Sequence, residues 1–234
     1  MAEKLQDRVS RGYMFALGRR NIFRRLLKLA VAPIYYMRMT GQARSMLGGW
    51  PVDRMGEPVP MFTYPAIDYL RSIESRLAEC DVLEFGCGQS TKWWAPRVRS
   101  LLGVEKYAGF ARKLMDELDE YPVSIITNRE FDRIDGQYDI VVVDGEPRVA
   151  AGRFAASAVK PNGIIIVDNS DVRSIAEIPR LLHDQGFARI DYFGFSPTGV
   201  RPQCTSIFFR TPGWFSVDAE VMPISINSNS EELK

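Results

Sequence analysis

The sequence predicts an α/β protein built on a mainly parallel sheet, and three observations lead there. Short apolar runs alternate with segments of helical periodicity along most of the chain. One run, Val82-Leu83-Glu84-Phe85, breaks into Gly86-Cys87-Gly88 and is followed by a helix-compatible segment from Ser90 to Val98. Polar residues gather where the runs stop: Glu84, Glu105, Asn128, Asp144 and Asp168-Asn169. In an open parallel sheet, ligands bind outside the carboxyl ends of the strands, so these positions form the candidate site.

Taken in order, the chain opens with a basic stretch. From Met1 to Ser45 there are ten Lys or Arg and only two Asp or Glu, although the net charge of the 234 residues is +1. The remainder is mildly acidic, which argues against a domain that tracks a nucleic-acid backbone. Leu17 to Ala32 is expected to be helical, with Ile22, Phe23, Leu26, Leu27 and Ala30 at spacings of three and four and Arg20, Arg24 and Lys28 on another face. Pro33 is expected to end it. Its apolar stripe packs on the core or on a second subunit in the reading we favour; a peripheral contact with a membrane surface is the other. Homo-oligomerisation is therefore open. Gly48 to Pro60 is rich in Gly and Pro and reads as a connector.

Tyr64-Pro65 introduces a helix expected from Ala66 to Ala78. Tyr64 has two open roles, contacting a ligand at the sheet edge or capping the core. The first strand and its glycine turn follow. Glu84 ends an otherwise apolar strand, where a carboxylate needs a cationic or hydrogen-bonding partner. Gly86 and Gly88 permit a tight turn and close approach of a ligand, and the helix behind them would offer free N–H groups. Thr91 stands where a dinucleotide fingerprint requires its third glycine. A second strand, Leu101 to Val104, ends in Glu105, nineteen positions after Gly86 and suitably placed to accept hydrogen bonds from a ribose diol.

Beyond it come a mixed-charge helix (107–120), a third strand (123–127), a fourth (139–143), a helix (148–159) and a fifth strand (164–167). A helix (174–185) and two final strands (188–195 and 205–210) complete the pattern, and the tail from Ser216 is polar. His183 falls on a helix far from any strand end. Of the adjacent Trp93 and Trp94, one is expected in the core and the other beside the site. The expected divisions are a basic helical extension and connector (1–60), the α/β domain (61–213) and a polar tail (214–234).

Three widely spaced cysteines, without a Cys-x-x-Cys pair, suit a reducing compartment. Cys87 contributes its backbone rather than a nucleophilic thiol. No apolar run approaches the roughly 20 residues that span a bilayer, and the first residues lack the pattern of a signal peptide. The expected location is the cytoplasm, with the membrane surface as the peripheral alternative.

Leu83-Glu84-Phe85-Gly86-Cys87-Gly88-Gln89-Ser90-Thr91 followed by Gly103-Val104-Glu105 resembles the cofactor motifs of class I S-adenosylmethionine-dependent methyltransferases. The resemblance extends through Tyr138–Gly145 and Lys160–Asn169 and covers roughly 64–210. It implies a Rossmann-like class I methyltransferase fold: a seven-stranded, mainly parallel sheet with an antiparallel last strand, here carrying an N-terminal helical extension. It also implies S-adenosylmethionine as cofactor, with Tyr64, Glu84, Gly86, Gly88, Ser90, Thr91, Glu105, Asn128 and Asp144 around it. Glu84 would order the turn or receive the methionine ammonium, and Asn128 would lie beside the adenine.

Asp144 with Asp168 and Asn169 is similar to the metal triad of catechol-type O-methyltransferases, which would imply Mg²⁺; a metal-free Asp144 acting as base is the alternative. Those enzymes place a lysine where this chain has Pro147, and Arg148 follows it. Arg148 would bind a substrate phosphate or carboxylate. The chain also resembles bacterial methyltransferases of surface-polysaccharide and glycolipid pathways, in Tyr64-Pro65, Asp168-Asn169-Ser170 and Cys204-Thr205-Ser206-Ile207-Phe208-Phe209-Arg210. Those would have an arginine where Glu146 stands. The expected activity is O-methylation of a glycan, lipid-linked sugar or other small molecule, with Asp144 and Arg148 on the acceptor side. N-methylation of a small molecule or protein, and a non-catalytic cofactor-binding scaffold, are the alternatives.

Overall fold

The computed structural model describes residues 22–127 and 134–215, and seven strands among them form one sheet. These are β1 (Asp81–Phe85), β2 (Ser100–Glu105), β3 (Val123–Thr127), β4 (Tyr138–Val143), β5 (Val159–Val167), β6 (Ala188–Gly194) and β7 (Gln203–Phe209). The helices are α1 (Ile22–Thr40), α2 (Gln42–Gly48), α3 (Tyr64–Ser72), α4 (Glu74–Leu77), α5 (Gln89–Trp94), α6 (Ala108–Glu117), α7 (Arg148–Ala158) and α8 (Glu177–Asp184). The strand order is β3-β2-β1-β4-β5-β7-β6, with β7 antiparallel to both neighbours. From β1 the chain moves outward to β2 and β3, then returns to the other side of β1 for β4. That reversal opens a crevice at the carboxyl ends of β1 and β4, where such sheets hold ligands.

Alternation along the strands sorts the core into two layers. Val82, Ile140, Val142, Ile164 and Ile166 face one side, packed with Trp93, Trp94 and the apolar face of α3. Leu83, Phe85, Val141, Val143, Ile165 and Val167 face the other, against α7 and α8. Register and the period of two then carry a functional consequence. Glu84 pairs with Val142 and Gly103, so Glu84, Glu105, Asp144 and Asp168 continue the first face at one edge of the sheet.

Several boundaries differ from the expected ones for local reasons. α1 continues through Pro33; the Leu29 carbonyl that proline leaves without a donor is on a solvent-facing stretch, where water can satisfy it. The part of that helix expected before Ile22 lies outside the described residues, as does the tail from Ser216. α5 stops at Trp94, ahead of Pro96. The helix expected over 66–78 begins at Tyr64 and breaks at Ile73 into α3 and α4. Trp93 and Trp94 are both buried, edge to face at 4.7 Å, so neither lines the site. The core also reaches past residue 213: Trp214 is buried, its Nε1 donates to the Asn162 carbonyl at 2.5 Å, and Phe215 stacks on Tyr69.

Candidate functional site

The turn after β1 is held by backbone geometry. Gly86 has φ +92° and donates its N–H to the Val104 carbonyl at 2.9 Å. A Cβ on Gly86 would lie 2.4 Å from the Gly145 nitrogen, and one on Gly145 would lie 2.4 Å from the Gly86 Cα. The turns after β1 and β4 therefore abut, and only glycine fits on either side. Gly145 closes the motif of the fourth strand, and its packing role appears only when the two turns meet. Gly88 faces open space, which leaves room for a ligand.

Glu84 lies at the bottom of this turn, fully buried. The Thr91 hydroxyl donates to its Oε2 at 2.6 Å and itself accepts from the Gly88 N–H at 2.8 Å. One short relay thus ties the strand end, the turn and α5 together. Oε1 has no hydrogen-bond partner among the described residues. Burial pushes the Glu84 carboxyl up to about 8, against the nearby hydroxyls of Ser90 and Thr91, and the charges of Asp144 and Glu105 add to the rise. A buried carboxylate oxygen without a partner fits a cationic group arriving from outside the chain.

Glu105 is buried one strand over. Its Oε2 accepts from the Cys87 N–H at 3.2 Å and its Oε1 from the Tyr107 N–H at 2.9 Å. Each oxygen keeps lone-pair capacity for a diol. The Cys87 thiol is raised well above its ordinary value by burial and by Glu84 and Glu105, which leaves it a poor nucleophile. Ser90 and Thr91 are buried beside Glu84. Asn128 lies outside the described residues.

Tyr64 takes its core role. It packs edge to face on Tyr36 at 5.9 Å, and burial pushes its hydroxyl up to about 12. Tyr64 is the first residue of α3, with Pro65 behind it, and its ring is buried in the core layer that this helix covers.

At the ends of β4 and β5 the arginine decides the chemistry. An Arg148 terminal nitrogen donates to Asp144 Oδ1 at 2.9 Å and to Asn169 Oδ1 at 3.2 Å, and its other terminal nitrogen donates to the Asp168 carbonyl at 2.9 Å. The guanidinium sits among the three groups proposed to share a metal. The remaining Asp168 oxygens are also engaged: Thr205 Oγ1 donates to Oδ1 at 2.6 Å and Gln203 Nε2 reaches Oδ2 at 3.4 Å. The donor set does not fit Mg²⁺, because a fixed cation already neutralises it. Arg148 spends three of its five N–H donors on these groups. Register placed Thr205 opposite Asp168 in the antiparallel β5–β7 pair, a relation that sequence spacing does not reveal. His183 is exposed on α8, away from this cluster.

Asp144 keeps 23% of its side-chain surface while Arg148 holds its Oδ1. The surrounding protein raises its carboxyl and the Arg148 charge pulls it back. Asp168 is also raised, by burial first and by the charge of Asp144 second. A carboxylate held on one oxygen at the rim of the crevice can accept a proton with the other.

No protein-family model matches the sequence, and no curated protein matches it. Solved structures do. The O-methyltransferase TomG from Streptomyces achromogenes, in complex with S-adenosylmethionine, superposes with a TM-score of 0.52 at 17% identity, over 75% of this chain and 94% of that one. A Klebsiella pneumoniae protein assigned as an O-methyltransferase gives 0.50 at 17% identity, over 79% and 94%. The N-methyltransferase NodS from Bradyrhizobium japonicum, in complex with S-adenosylhomocysteine, gives 0.47 at 16%, over 60% and 82%. The first two superpositions, together with the strand order, give this chain the fold of class I S-adenosylmethionine-dependent methyltransferases.

Proposed function

We propose that this protein is an S-adenosylmethionine-dependent methyltransferase that methylates a hydroxyl of a small-molecule, glycan or lipid-linked acceptor without a metal. The observation that carries the proposal is the unpartnered Glu84 Oε1 beneath an open glycine turn, flanked by Glu105 on the neighbouring strand. Glu84 would receive the methionine ammonium, the backbone around Gly86 and Gly88 would border the methionine and ribose, and Glu105 would accept the ribose hydroxyls. S-adenosylmethionine supplies an electrophilic methyl group, so the chain's task is alignment and proton removal.

Asp144 would perform the second part. Arg148 restrains its Oδ1, leaving Oδ2 to accept the acceptor's hydroxyl proton as the oxygen becomes nucleophilic. Asp168, held by Thr205 and Gln203, supports Arg148 through its backbone carbonyl. Three free cysteines suit a cytoplasmic setting.

Calorimetry with S-adenosylmethionine, followed by a methyl-release screen across hydroxylated and amine acceptors, tests the reading. Saturable binding with release on hydroxylated acceptors is expected. Absence of binding overturns it. Release on amines alone reassigns the acceptor, and binding without any release points to a scaffold.

A further inference from the structure

The last turns of α1 pack on the body. Tyr36 packs on Tyr64, Thr40 is buried, and just beyond the helix Gln42 Nε2 donates to the Ser196 and Gly199 carbonyls. The turns before them leave large apolar side chains in solvent: Ile22, Leu26, Leu27, Leu29, Val31 and Ile34, with Leu29 at 75% and Ile34 at 66% exposure. Among the described residues, nothing covers these side chains of the stripe expected on the core. At 100° per residue, Ile22, Leu26, Leu27, Leu29 and Ile34 lie within an arc of roughly 160°, bordered by Arg25 on one side and Arg38 on the other. Beside the helix, a cleft of about 1030 Å³ runs to the loop after β6 and is lined mainly by Leu29, Pro33, Met37, Phe195 and Val200, with Arg25 and Lys28 at its wall.

Charge identifies the occupant. No Asp or Glu occurs between Asp7 and Asp53, while Lys and Arg recur throughout. A second copy of this helix would bring cation against cation, which opposes self-pairing. A bilayer bearing anionic lipid matches both features, apolar depth for the stripe and phosphates for its cationic borders. No helix among the described residues is long and apolar enough to cross a membrane.

We propose that α1 and the adjoining loop after β6 form a peripheral docking surface for an anionic phospholipid bilayer. The same loop runs on to Gln203, whose amide reaches Asp168, so the docked edge and the acceptor-side carboxylates share one end of the sheet.

Vesicle flotation of the full chain tests this, with phosphatidylcholine alone and with phosphatidylcholine mixed with phosphatidylglycerol. Flotation is expected only with the mixed vesicles, and raising the salt should weaken it because the attraction between cations and phosphates is screened. Neutralising the bordering cation, Arg38→Gln, should cut partitioning about fivefold, and Leu29→Asp with Ile34→Asp should abolish it. These side chains are solvent-exposed, so the variants' melting temperatures should match the parent. If the aspartate pair fails to fold, the Arg38 variant and the salt dependence still decide. Equal flotation on both vesicle types, or none on either, overturns the proposal. So does sedimentation showing a dimer that Leu29→Asp dissociates, or retention by an acidic protein surface in preference to the mixed vesicles. None of these readouts depends on methyl transfer.

Discussion

Glu84 and Asp144 carry different loads, and single substitutions separate them. Asp144→Asn removes a proton acceptor at the rim while keeping shape, so turnover should fall by at least ~100-fold with S-adenosylmethionine affinity within a few-fold by calorimetry. Loss of binding instead would move Asp144 to the cofactor. Glu84→Gln should do the reverse, weakening cofactor binding. In the parent, a Glu84 carboxyl pushed up to about 8 is largely protonated at neutral pH and must ionise to take an ammonium. Affinity should therefore rise with pH toward 8 and flatten above it, a dependence that Glu84→Gln erases. Exhaustive EDTA treatment should leave turnover unchanged, since Arg148 supplies the positive charge among Asp144, Asp168 and Asn169; a loss restored by Mg²⁺ would contradict the metal-free reading.

At the scale of elements, the abutting turns after β1 and β4 set the sheet edge. Gly145→Ala drives a Cβ into the Gly86 backbone and should cost about 2 kcal/mol or more, seen as a lower unfolding midpoint in denaturant. Gly88→Ala meets open space and should leave that midpoint nearly unchanged while reducing cofactor affinity. If both glycines behaved alike, the division between a packed turn and a ligand-facing one would be wrong. The same reasoning explains which parts of the site were legible. Glu84, Glu105 and Asp144 stand at strand ends that hydrophobic patterning locates. Gly145, Gln203 and Thr205 required knowing which turns and strands are neighbours, because their partners lie 35 or more positions away in sequence.

For the whole molecule, buried acids shape stability. Glu84 keeps its proton in the folded state up to about pH 8, whereas the unfolded chain releases it near its ordinary value. Between those values the folded state binds more protons, so stability falls as pH rises, by at most ~1.4 kcal/mol per pH unit for this group. Asp168, also raised, acts in the same direction. Asp81 acts oppositely and at lower pH: hydrogen bonds from Arg99 lower its carboxyl, so its contribution is present at neutral pH and lost on strong acidification. Denaturant midpoints measured from pH 5 to 8 should decline in the parent and decline less in Glu84→Gln.

By itself the sequence determined the strands, the glycine turn, the acids at the strand ends and hence the fold and ligand edge, because period-two burial and turn chemistry are local properties. Tertiary structure alone decided that Tyr64 and both tryptophans belong to the core. It also decided that α1 projects its apolar stripe outward, and that Arg148 rather than a metal holds the acceptor-side carboxylates. Each of those outcomes depends on what approaches from distant parts of the chain, and a guanidinium four residues from Asp144 closes on three separate groups only once β4 and β5 lie side by side.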